Sequence, residues 1–477
     1  MTAPVGQRYD RWWAAYGGTS ATLPLVMADS GHQYGSGPVD YYTVYKGYLD
    51  AELARPAGAE ITAVASRLGN RLRVSVTLVN RSGVTLSSAN AATVHIIVYE
   101  DIKVGVTSRM VRDAVYLGIT SAVADDGSAS YVLDTNDVAP SNWSNVHVVA
   151  LVDYRPGGTT GAYDMLQAAF APIVPLPAAD FDGDMKSDIL WRHASAGDIW
   201  RWTMNGAAKT AESYVRTVAE SGWDIRGLGD QTGDGQADIL WRRAQTGEVY
   251  LWEMNGSTVV SDTYVSTVDT AYDIVGTGDY DGDGRSDILW RDVANGGLWL
   301  WLMNGAERLS TTFVAGVDPA YVVQGSGDVD GDGKSDIVWR HVTKGDVWVW
   351  VMNGATRTSE AWIGTVADLQ YALESVADLT GDGKTDLLWR HATVGDVWLW
   401  QLDGASVESE AYVATVSDTG YRIAGTGDYD RDGKVDIVWH HATHGEVWVW
   451  LMNGAVRRSE SWVATVPDTG YSIVKPR

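Results

Sequence analysis

The amino-acid sequence predicts an all-β protein, a β-propeller preceded by an N-terminal antiparallel β-sandwich. An internal repeat of 49 or 50 residues fills the C-terminal part of the chain, from residue 180 to 477. Each copy contains four short strand-like segments, the content of one propeller blade. Residues 56–171 contain no repeat, but apolar and polar residues alternate there as in half-buried strands. The six copies favour six blades, and seven remain an alternative.

The repeat is easiest to follow at the aspartates that open its most regular segment, which are Asp180, Asp230, Asp279, Asp328, Asp378 and Asp428. In one copy the predicted strands are Tyr272–Gly276, Asp287–Arg291, Leu298–Met303 and Phe313–Val317. The Asn304-Gly305 pair predicts a tight hairpin between the last two strands, with positive φ at both residues.

The third strand of each copy predicts how the blades are covered. In the run that starts at Asp346, Trp348 and Trp350 take one face, and Val347 and Val349 take the other. Both faces are apolar, so neighbouring blades must cover both, and we expect most tryptophans to pack between blades. Stacking on sugars is the alternative for the aromatic rings, with the better-exposed candidates at Trp223, Trp362 and Trp462.

Closure of the ring leaves alternatives. Gly470–Val474 matches the first strand of a seventh copy that does not continue, so this segment is able to complete the first blade. Ala171–Val174 is an alternative source of that strand, and exchange of a strand with a neighbouring molecule is another.

The acidic loop of the repeat predicts a cation site. In the copy D-Y-D-G-D-G-R-S-D, carboxylates stand at positions 1, 3, 5 and 9, and the backbone carbonyl at position 7 adds another oxygen. Hard oxygen ligands at this spacing favour Ca²⁺, whereas Zn²⁺ and Cu²⁺ prefer nitrogen or sulfur. The sequence therefore predicts up to six Ca²⁺ ions, held by Asp180, Asp182, Asp184, Lys186 and Asp188; Asp230, Thr232, Asp234, Gln236 and Asp238; Asp279, Asp281, Asp283, Arg285 and Asp287; Asp328, Asp330, Asp332, Lys334 and Asp336; Asp378, Thr380, Asp382, Lys384 and Asp386; and Asp428, Asp430, Asp432, Lys434 and Asp436.

The six loops differ in quality. Those at Asp279 and Asp328 are complete, and those at Asp230 and Asp378 carry threonine at position 3, which predicts weaker sites. The loop at Asp180 has Met185 at position 6, and the loop at Asp428 has Arg431 at position 4. Both replace a glycine, so positive φ there would cost strain, and occupancy of these two loops stays open. The alternative is that these aspartates only cap turns, but their carboxylates would then repel one another without a counterion.

The composition excludes several classes of protein. The 477 residues carry a net charge of −25, so nucleic acid is an unfavourable partner. Cysteine is absent, which excludes disulfides and thiolate metal sites. No apolar run is long enough to predict a transmembrane segment.

A family resemblance rests on the run G-T-G-D-Y-D-G-D-G-R-S-D-I-L-W-R at residues 276–291. It resembles the FG-GAP or VCBS-type repeat of bacterial secreted proteins, there preceded by a β-sandwich domain. It is also similar to the calcium-bearing blades of integrin α-subunit propellers and of some fungal propeller lectins. The resemblance covers about residues 178–477, although the Phe-Gly and Gly-Ala-Pro triplets of the name are absent. It implies a propeller, calcium sites away from the ligand surface and an extracellular setting, but it fixes no ligand.

Four regions are predicted along the chain. Residues 1–55 form an arm with a short helix at Asp40–Ala54, residues 56–171 the sandwich, residues 172–179 a Pro-rich linker and residues 180–477 the propeller. The start of the chain has no secretion signal, so an extracellular setting predicts a mature or trimmed chain.

No catalytic motif stands out, so we expect a protein without enzymatic activity. Two recurring features are interpreted structurally. Histidines at positions 193, 341, 391 and 441 are expected to make contacts at strand ends. Arginines are expected to pair across a hairpin with acidic residues, in the pairs Arg192–Asp198, Arg242–Glu248, Arg340–Asp346 and Arg390–Asp396. The predicted function is extracellular binding or adhesion towards protein or glycan. The alternative is a structural subunit of a filament or surface layer assembled through the N-terminal arm.

Overall fold

The structure is a computed structural model that describes residues 54–103, 109–158, 160–220 and 222–475, with Trp12, Ala51 and the strands Leu25–Ala28 and Gln33–Ser36. The predicted helix at 40–54 and most of the N-terminal arm therefore lie outside the described residues. Strands dominate, and the chain divides into two compact units that change between Ile173 and Val174, with the short segment Arg67–Gly69 grouped with the second unit. No helix in the described ranges has the length and apolar character needed to cross a membrane.

The first unit contains two four-stranded sheets and a separate antiparallel hairpin of β1 and β2. Sheet order is β10-β3-β4-β7 in one sheet and β6-β5-β8-β9 in the other. The strands are β1 Leu25–Ala28, β2 Gln33–Ser36, β3 Ala59–Leu68, β4 Arg71–Asn80, β5 Thr93–Glu100, β6 Met110–Gly118, β7 Ser128–Asp134, β8 Val146–Tyr154, β9 Asp164–Ala171 and β10 Ile173–Val174, with single 3₁₀ turns at Ser88–Asn90 and Trp143–Asn145.

One hydrophobic core lies between these two sheets. Val76 of β4, Ile96 of β5 and Val148 of β8 are almost fully buried in the same cluster, because alternate residues of each strand face inward. Strands β3 and β6 escaped the sequence analysis. The run of β3, AEITAVASRL, is buried at four consecutive residues and so lacks the alternation that identifies a half-buried strand.

The second unit contains six four-stranded sheets in its described residues, numbered here by the repeat that supplies the second strand. The inner strands are β34 Tyr471–Ile473 in sheet 1, then β14 Trp223–Gly229, β18 Tyr272–Gly278, β22 Tyr321–Gly327, β26 Tyr371–Ala377 and β30 Tyr421–Gly427. The second strands are β11 Ile189–His193, β15 Asp238–Arg243, β19 Asp287–Asp292, β23 Asp336–His341, β27 Asp386–His391 and β31 Asp436–His441. The third strands are β12 Asp198–Asn205, β16 Glu248–Asn255, β20 Gly297–Asn304, β24 Asp346–Asn353, β28 Asp396–Leu402 and β32 Glu446–Asn453. The outer strands are β13 Ala208–Thr217, β17 Thr258–Thr267, β21 Glu307–Gly316, β25 Thr356–Thr365, β29 Val407–Thr415 and β33 Val456–Thr465.

The C-terminal strand completes the first of these sheets. Strand β34 pairs antiparallel with β11, with Ile473 opposite Trp191 and Tyr471 opposite His193. The alternative that Ala171–Val174 supplies this strand is wrong, since Ile173–Val174 joins β3 in the first unit. Consecutive inner strands lie against one another from β14 through β34, so the sheets follow each other around an axis, as in a β-propeller.

Tryptophans pack between neighbouring sheets, as predicted. Trp290 of sheet 3 is 1% exposed and packs against Trp301 with ring centroids 4.9 Å apart. The same cluster includes Leu240 and Val249 of sheet 2, which cover one face of sheet 3. Its other face packs through Leu300 against Trp339 of sheet 4, so neighbours cover both faces. Burial of such a side chain stabilises the fold by about 1.5–3 kcal/mol.

Two local predictions for the hairpin are wrong. The outer strand of sheet 3 runs over Glu307–Gly316 rather than Phe313–Val317, because its polar residues face solvent and leave no apolar alternation to detect. In the turn, Gly305 takes φ of 58°, whereas Asn304 does not take positive φ and ends strand β20. The two residues between the strands are Gly305 and Ala306, and a glycine at the first of them suits a type II′ turn.

Candidate metal centres

In sheets 2 to 6 the acidic loop connects the inner strand to the second strand at one end of the sheet. In sheet 3, Asp279 directly follows β18, and Asp287 is the first residue of β19, where it pairs with Gly278. The pairing of β18 with β19 therefore holds both ends of the nine-residue loop close together. This confines the carboxylates between them to a small volume. In sheet 1 the loop joins β11 in the same way, although the inner strand comes from the C-terminus.

The aspartate at position 1 organises the loop through its own backbone. The Asp279 carboxylate accepts hydrogen bonds from the Gly282 N–H at 2.7 Å, the Asp283 N–H at 3.0 Å and the Gly284 N–H at 2.7 Å. The same bonds from positions 4 and 6 recur in the other loops, to Asp180, Asp230, Asp328, Asp378 and Asp428. Positive φ at Gly282 and Gly284 turns these N–H groups inward.

The aspartate at position 9 ties the loop to the sheet. Asp287 accepts from the Tyr280 N–H at 3.0 Å and from the Met303 N–H of the third strand at 2.9 Å. Burial raises the pKa of Asp287 to about 8 and that of Asp279 to about 7, against the lowering effect of these backbone hydrogen bonds. An ionised carboxylate is therefore costly in this loop until a cation neutralises it.

Four of the six loops bring three carboxylate oxygens within 4.8 Å of one another in the described residues. The groups are Asp180, Asp182 and Asp184; Asp279, Asp281 and Asp287; Asp328, Asp330 and Asp332; and Asp428, Asp430 and Asp436. Hard oxygen donors of this number and charge fit Ca²⁺ better than a transition metal. The donor set thus agrees with the ion that the sequence predicts.

Two buried oxygens strengthen the fit. Thr380 Oγ1 and Asp430 Oδ1 are buried and accept or donate no hydrogen bond within the described ranges. Both residues stand at position 3 of their loops, where a calcium ligand is predicted. A buried oxygen without a partner is costly, and an ion in the loop would satisfy it.

The position-7 residues were predicted as ligands through their backbone carbonyls. That ligation stays a prediction. Their N–H groups help to fix the loop, since Arg285 N donates to Asp283 at 2.9 Å and Lys334 N to Asp332 at 2.9 Å. Several position-7 side chains also pair with position 5 of their own loops, as Lys186 does with Asp184 at 2.7 Å. Lys384 differs, because it donates to Asp403 outside its loop. The same N–H bond recurs at Lys186, Gln236, Lys384 and Lys434.

The two loops with threonine at position 3 hold their carboxylates less closely together. Asp230, Asp234 and Asp238, like Asp378, Asp382 and Asp386, are not among the three-carboxylate groups found in the described part of the chain. Thr232 donates its hydroxyl to Asp230 at a long 3.4 Å. These two loops offer fewer charged oxygens, in line with the weaker sites that the sequence predicts.

The loops at Asp180 and Asp428 carry the strain expected of them. Met185 takes φ of 63° and Arg431 φ of 62°, the left-handed region that favours glycine. Each loop also receives an arginine from a strand. Arg201 lies 3.1 Å from Asp182 and 3.0 Å from Asp188, and Arg458 lies 2.6 Å from Asp430 and 2.9 Å from Asp432.

Sequence reasoning missed both arginines. Arg201 is 8% exposed and occupies the third-strand position held by Leu251, Leu300 and Leu399 in other sheets. Alignment of the repeats would have shown this change. Its guanidinium neutralises part of the first loop by direct ion pairs. The complete loop at Asp279 has Leu300 at that position, and Arg67 donates to the carbonyl of its Gly282.

Backbone hydrogen bonds connect the loops in sequence around the unit. The N–H at position 8 of one loop donates to the position-1 carbonyl of the preceding loop, as from Ser335 to Asp279 at 2.6 Å. The series closes from Ser187 to Asp428 at 2.7 Å. The remaining links are Ala237 to Asp180, Ser286 to Asp230, Thr385 to Asp328 and Val435 to Asp378. Ordering of one loop by an ion would therefore also restrain its neighbours.

The predicted cross-strand arginine pairs are wrong. Arg192 stands opposite Ile199 in the ladder, and its nearest acidic partner is Asp224 at 3.7 Å. Arg242 donates to the Tyr272 carbonyl at 2.6 Å. These arginines stack on a tryptophan of the next sheet, as Arg192 does on Trp241 at 5.0 Å, in a series continued by Arg242 on Trp290, Arg291 on Trp339, Arg340 on Trp389 and Arg390 on Trp439.

The recurring histidines make strand-end contacts, as predicted. His391 Nδ1 accepts from the Val394 N–H at 3.1 Å, and its Nε2 lies 3.2 Å from Asp368. Equivalent Nδ1 contacts are made by His193, His341 and His441. The histidines thus fix the turn after the second strand.

Comparisons with known proteins agree with the repeat. The FG-GAP-like repeat matches residues 180–241, 230–290, 328–389 and 378–439. No curated protein matches the chain. The chain therefore carries four recognisable FG-GAP-like repeats within a β-propeller.

Solved structures show only distant likeness. A chain of a nidogen/laminin complex is 13% identical with a TM-score of 0.41, over 60% of this chain and 96% of that chain. Regucalcin, a calcium-binding protein from Agrobacterium tumefaciens, is 12% identical with a TM-score of 0.33, over 51% and 78%. A putative 6-phosphogluconolactonase from Bacteroides uniformis is 13% identical with a TM-score of 0.37, over 68% and 95%. At these values the likeness carries no argument about a ligand.

Proposed function

We propose, from the four FG-GAP-like repeats, that this chain is a non-catalytic extracellular binding protein whose propeller is stabilised by Ca²⁺. The observation that carries the proposal is the loop of sheet 3, where Asp279, Asp281 and Asp287 bring carboxylate oxygens within 4.8 Å of one another. Calcium bound there would stabilise the folded state, because the unfolded chain has no formed site. Such sites fill readily where calcium is millimolar, which favours an extracellular setting.

The proposed role in binding rests on the type of repeat and on the composition. The net charge of −25 disfavours nucleic acid and favours a protein or glycan partner. A rigid ring of sheets presents side chains from many loops without needing a flexible hinge, which suits recognition of an extracellular partner. Adhesion to an extracellular surface is the form of binding that we propose.

The proposal is tested by retention on immobilised extracellular matrix glycoproteins. We expect the full chain to be retained by at least one of them in 2 mM CaCl₂, about the millimolar level of extracellular calcium, and released by EDTA. Retention that survives EDTA would argue against calcium control, and no retention on any glycoprotein would contradict the binding role. A titration monitored by calorimetry should show calcium binding in the same buffer.

The filament alternative depended on the N-terminal arm. Most of that arm, residues 1–55, lies outside the described residues, so assembly through it stays a prediction. Sedimentation of the full chain in calcium would show whether it polymerises.

A further inference from the structure

Each outer strand of the second unit carries one half-exposed aromatic side chain at the same position. The six are 50–55% exposed and comprise Tyr214, Tyr264, Phe313, Trp362, Tyr412 and Trp462. The sequence predicts exposure at Trp223, Trp362 and Trp462. The prediction is confirmed for Trp362 and Trp462 and wrong for Trp223, which is half-buried and packs against Tyr250. The same position thus offers an aromatic face to solvent in all six sheets, and such a face suits the apolar side of a sugar ring.

The outer rings are held rather than free to rotate into solvent. Tyr214 packs edge-on against Trp200 of the third strand, with ring centroids 5.4 Å apart at 66°. Tyr412 packs in the same way on Trp398 at 5.5 Å and 69°. A fixed ring loses little entropy when a ligand stacks on it.

Each ring is isolated by polar neighbours along its own strand. The outer strand of sheet 4 reads TRTSEAWIGT, with Trp362 as its one aromatic residue. A stable protein–protein interface buries roughly 800 Å² on each partner, much more than one isolated ring offers. A single aromatic ring instead matches the size of one sugar ring, and its repetition around the unit suits a repetitive ligand.

In three of the sheets the ring contacts a threonine hydroxyl that in turn donates to an aspartate. In sheets 2 and 6 the acidic residue opposite the threonine is a glutamate, Glu248 or Glu446. In sheet 1 the Tyr214 hydroxyl lies 2.7 Å from Thr217 Oγ1, and Thr217 donates its hydroxyl to Asp198 Oδ1. In sheet 4 Trp362 Nε1 donates to Thr365 at 3.3 Å, and Thr365 donates to Asp346 at 2.6 Å.

Sheet 5 repeats this arrangement with Tyr412, Thr415 and Asp396. The threonine occupies Oδ1 of each carboxylate, which leaves Oδ2 as an acceptor for a ligand hydroxyl.

We propose that sheets 1, 4 and 5 each hold a subsite for one unit of a neutral glycan, formed by the outer aromatic ring and the adjacent threonine–aspartate pair. The apolar C–H face of the sugar stacks on the ring, and a sugar hydroxyl donates to the aspartate. The charge of −25 disfavours acidic sugars. This inference rests on the proposed binding function and names its ligand class.

Sheet 3 supplies a natural control. Its ring is Phe313, and glycines stand where the other sheets have the carboxylate and the hydroxyl, at Gly297 and Gly316. The ring remains there without either polar group, so we expect no subsite. The variant Phe313→Ala should therefore leave glycan binding unchanged.

The test uses the full chain in calcium with neutral hexasaccharides of glucose, mannose, galactose and N-acetylglucosamine, and hexagalacturonate as the acidic comparator. We expect at least one neutral hexasaccharide to bind. The triple variant Tyr214→Ala/Trp362→Ala/Tyr412→Ala should weaken binding at least about tenfold, because three linked contacts are lost. Phe313→Ala should stay within about twofold of the parent, since it removes a ring without the polar pair.

Three results would overturn the subsites: no binding of any neutral hexasaccharide, equal binding by the triple variant, or preference for hexagalacturonate. Unchanged calcium-dependent melting of the triple variant shows that it is folded. If retention on matrix glycoproteins persists after their enzymatic deglycosylation, the partner is protein, and the glycan proposal fails while the proposed binding function stands. Absence of that retention in the parent chain would instead defeat the binding function itself.

Discussion

Sheets 3 and 4 pack against each other, and so do sheets 6 and 1, where the ring closes. The two contacts use different residues in their acidic loops and at the stacking position. At the first, both loops have glycine at positions 4 and 6, and Arg291 stacks on Trp339. At the second, Met185 and Arg431 occupy strained glycine positions, and His440 replaces the stacking arginine, 5.2 Å from Trp191.

The difference extends to the counterions of the two pairs of loops. Arg201 and Arg458 supply positive charge to the loops of sheets 1 and 6 from within the protein. The loops at Asp279 and Asp328 have no third-strand or outer-strand arginine among the ion pairs of their described unit. Their additional cation is Arg67, which donates to the Gly282 carbonyl and whose charge is attracted by Asp279, Asp283 and Asp332. Arg201 and Arg458 pair directly with carboxylates of their loops, whereas Arg67 donates to a loop carbonyl. We therefore expect calcium to stabilise the loops of sheets 3 and 4 more than those of sheets 6 and 1.

The metal-free chain should respond to pH in both regions. Burial raises the pKa of Asp287 and Asp336 to about 8 and of Asp188, despite Arg201, to about 8 as well. The unfolded value is about 3.9, so between pH 4 and 8 the folded state binds more protons. In EDTA the free energy of unfolding should therefore fall as pH rises, on the order of 1.4 kcal/mol per pH unit for each such carboxyl.

Melting from pH 5 to pH 8 checks this response. Calcium replaces the protons, so the melting temperature with calcium should hold while that in EDTA falls. Parallel curves in calcium and EDTA would show that calcium does not bind at these carboxylates.

Replacement of one position-3 aspartate should reduce calcium binding in sheet 3 more than in sheet 1. Asp281→Asn is expected to remove one calcium ion and, at calcium about 100 times the dissociation constant, about 2.7 kcal/mol of calcium-dependent stabilisation. The matched variant Asp182→Asn should change the calcium stoichiometry little, because Arg201 already pairs with Asp182 and Asp188. Calorimetric titration measures both, and an equal loss in the two variants would break the comparison.

Removal of Arg201 should make the loop of sheet 1 bind calcium more like the loop of sheet 3. Arg201→Leu introduces the residue found at positions 251, 300 and 399. We expect calcium affinity of the first loop to rise about tenfold, since a positive charge beside the ion is gone, while metal-free stability falls. The reciprocal variant Leu300→Arg should weaken the loop at Asp279, and the two titrations together exclude a general packing effect.

The smallest effect on stability is expected at His440, which takes the place of the stacking arginine in sheet 6. Burial lowers the pKa of His440, so it is neutral at pH 7 and lacks the cation that Arg291 and its counterparts place over tryptophan. His440→Arg should add about 0.5–1 kcal/mol in urea unfolding. A loss of stability would show that the closure is shaped for histidine.

The sequence predicted those features that are local and repeated. The nine-residue spacing from Asp279 to Asp287 identified the loops, and the alternation around Trp348 identified packing on both faces of a sheet. The strain at Met185 and Arg431 followed from the rule for glycine at positive φ.

Features set by tertiary register could not be predicted in the same way. Arg192 was assigned to Asp198, but the ladder places it opposite Ile199, one residue along. Arg201 reaches Asp188 only because the third strand folds back over the loop. The origin of the strand that closes sheet 1 depended on which of two distant segments pairs with β11.

The central claim is that calcium in the acidic loops stabilises the ring. It is tested most directly by the melting temperature of the full chain in EDTA, in calcium and in magnesium at pH 7.5. We predict a large, reversible rise with calcium and a much smaller rise with magnesium, which resists an all-protein oxygen site. The same melting temperature in calcium and in EDTA would contradict the claim.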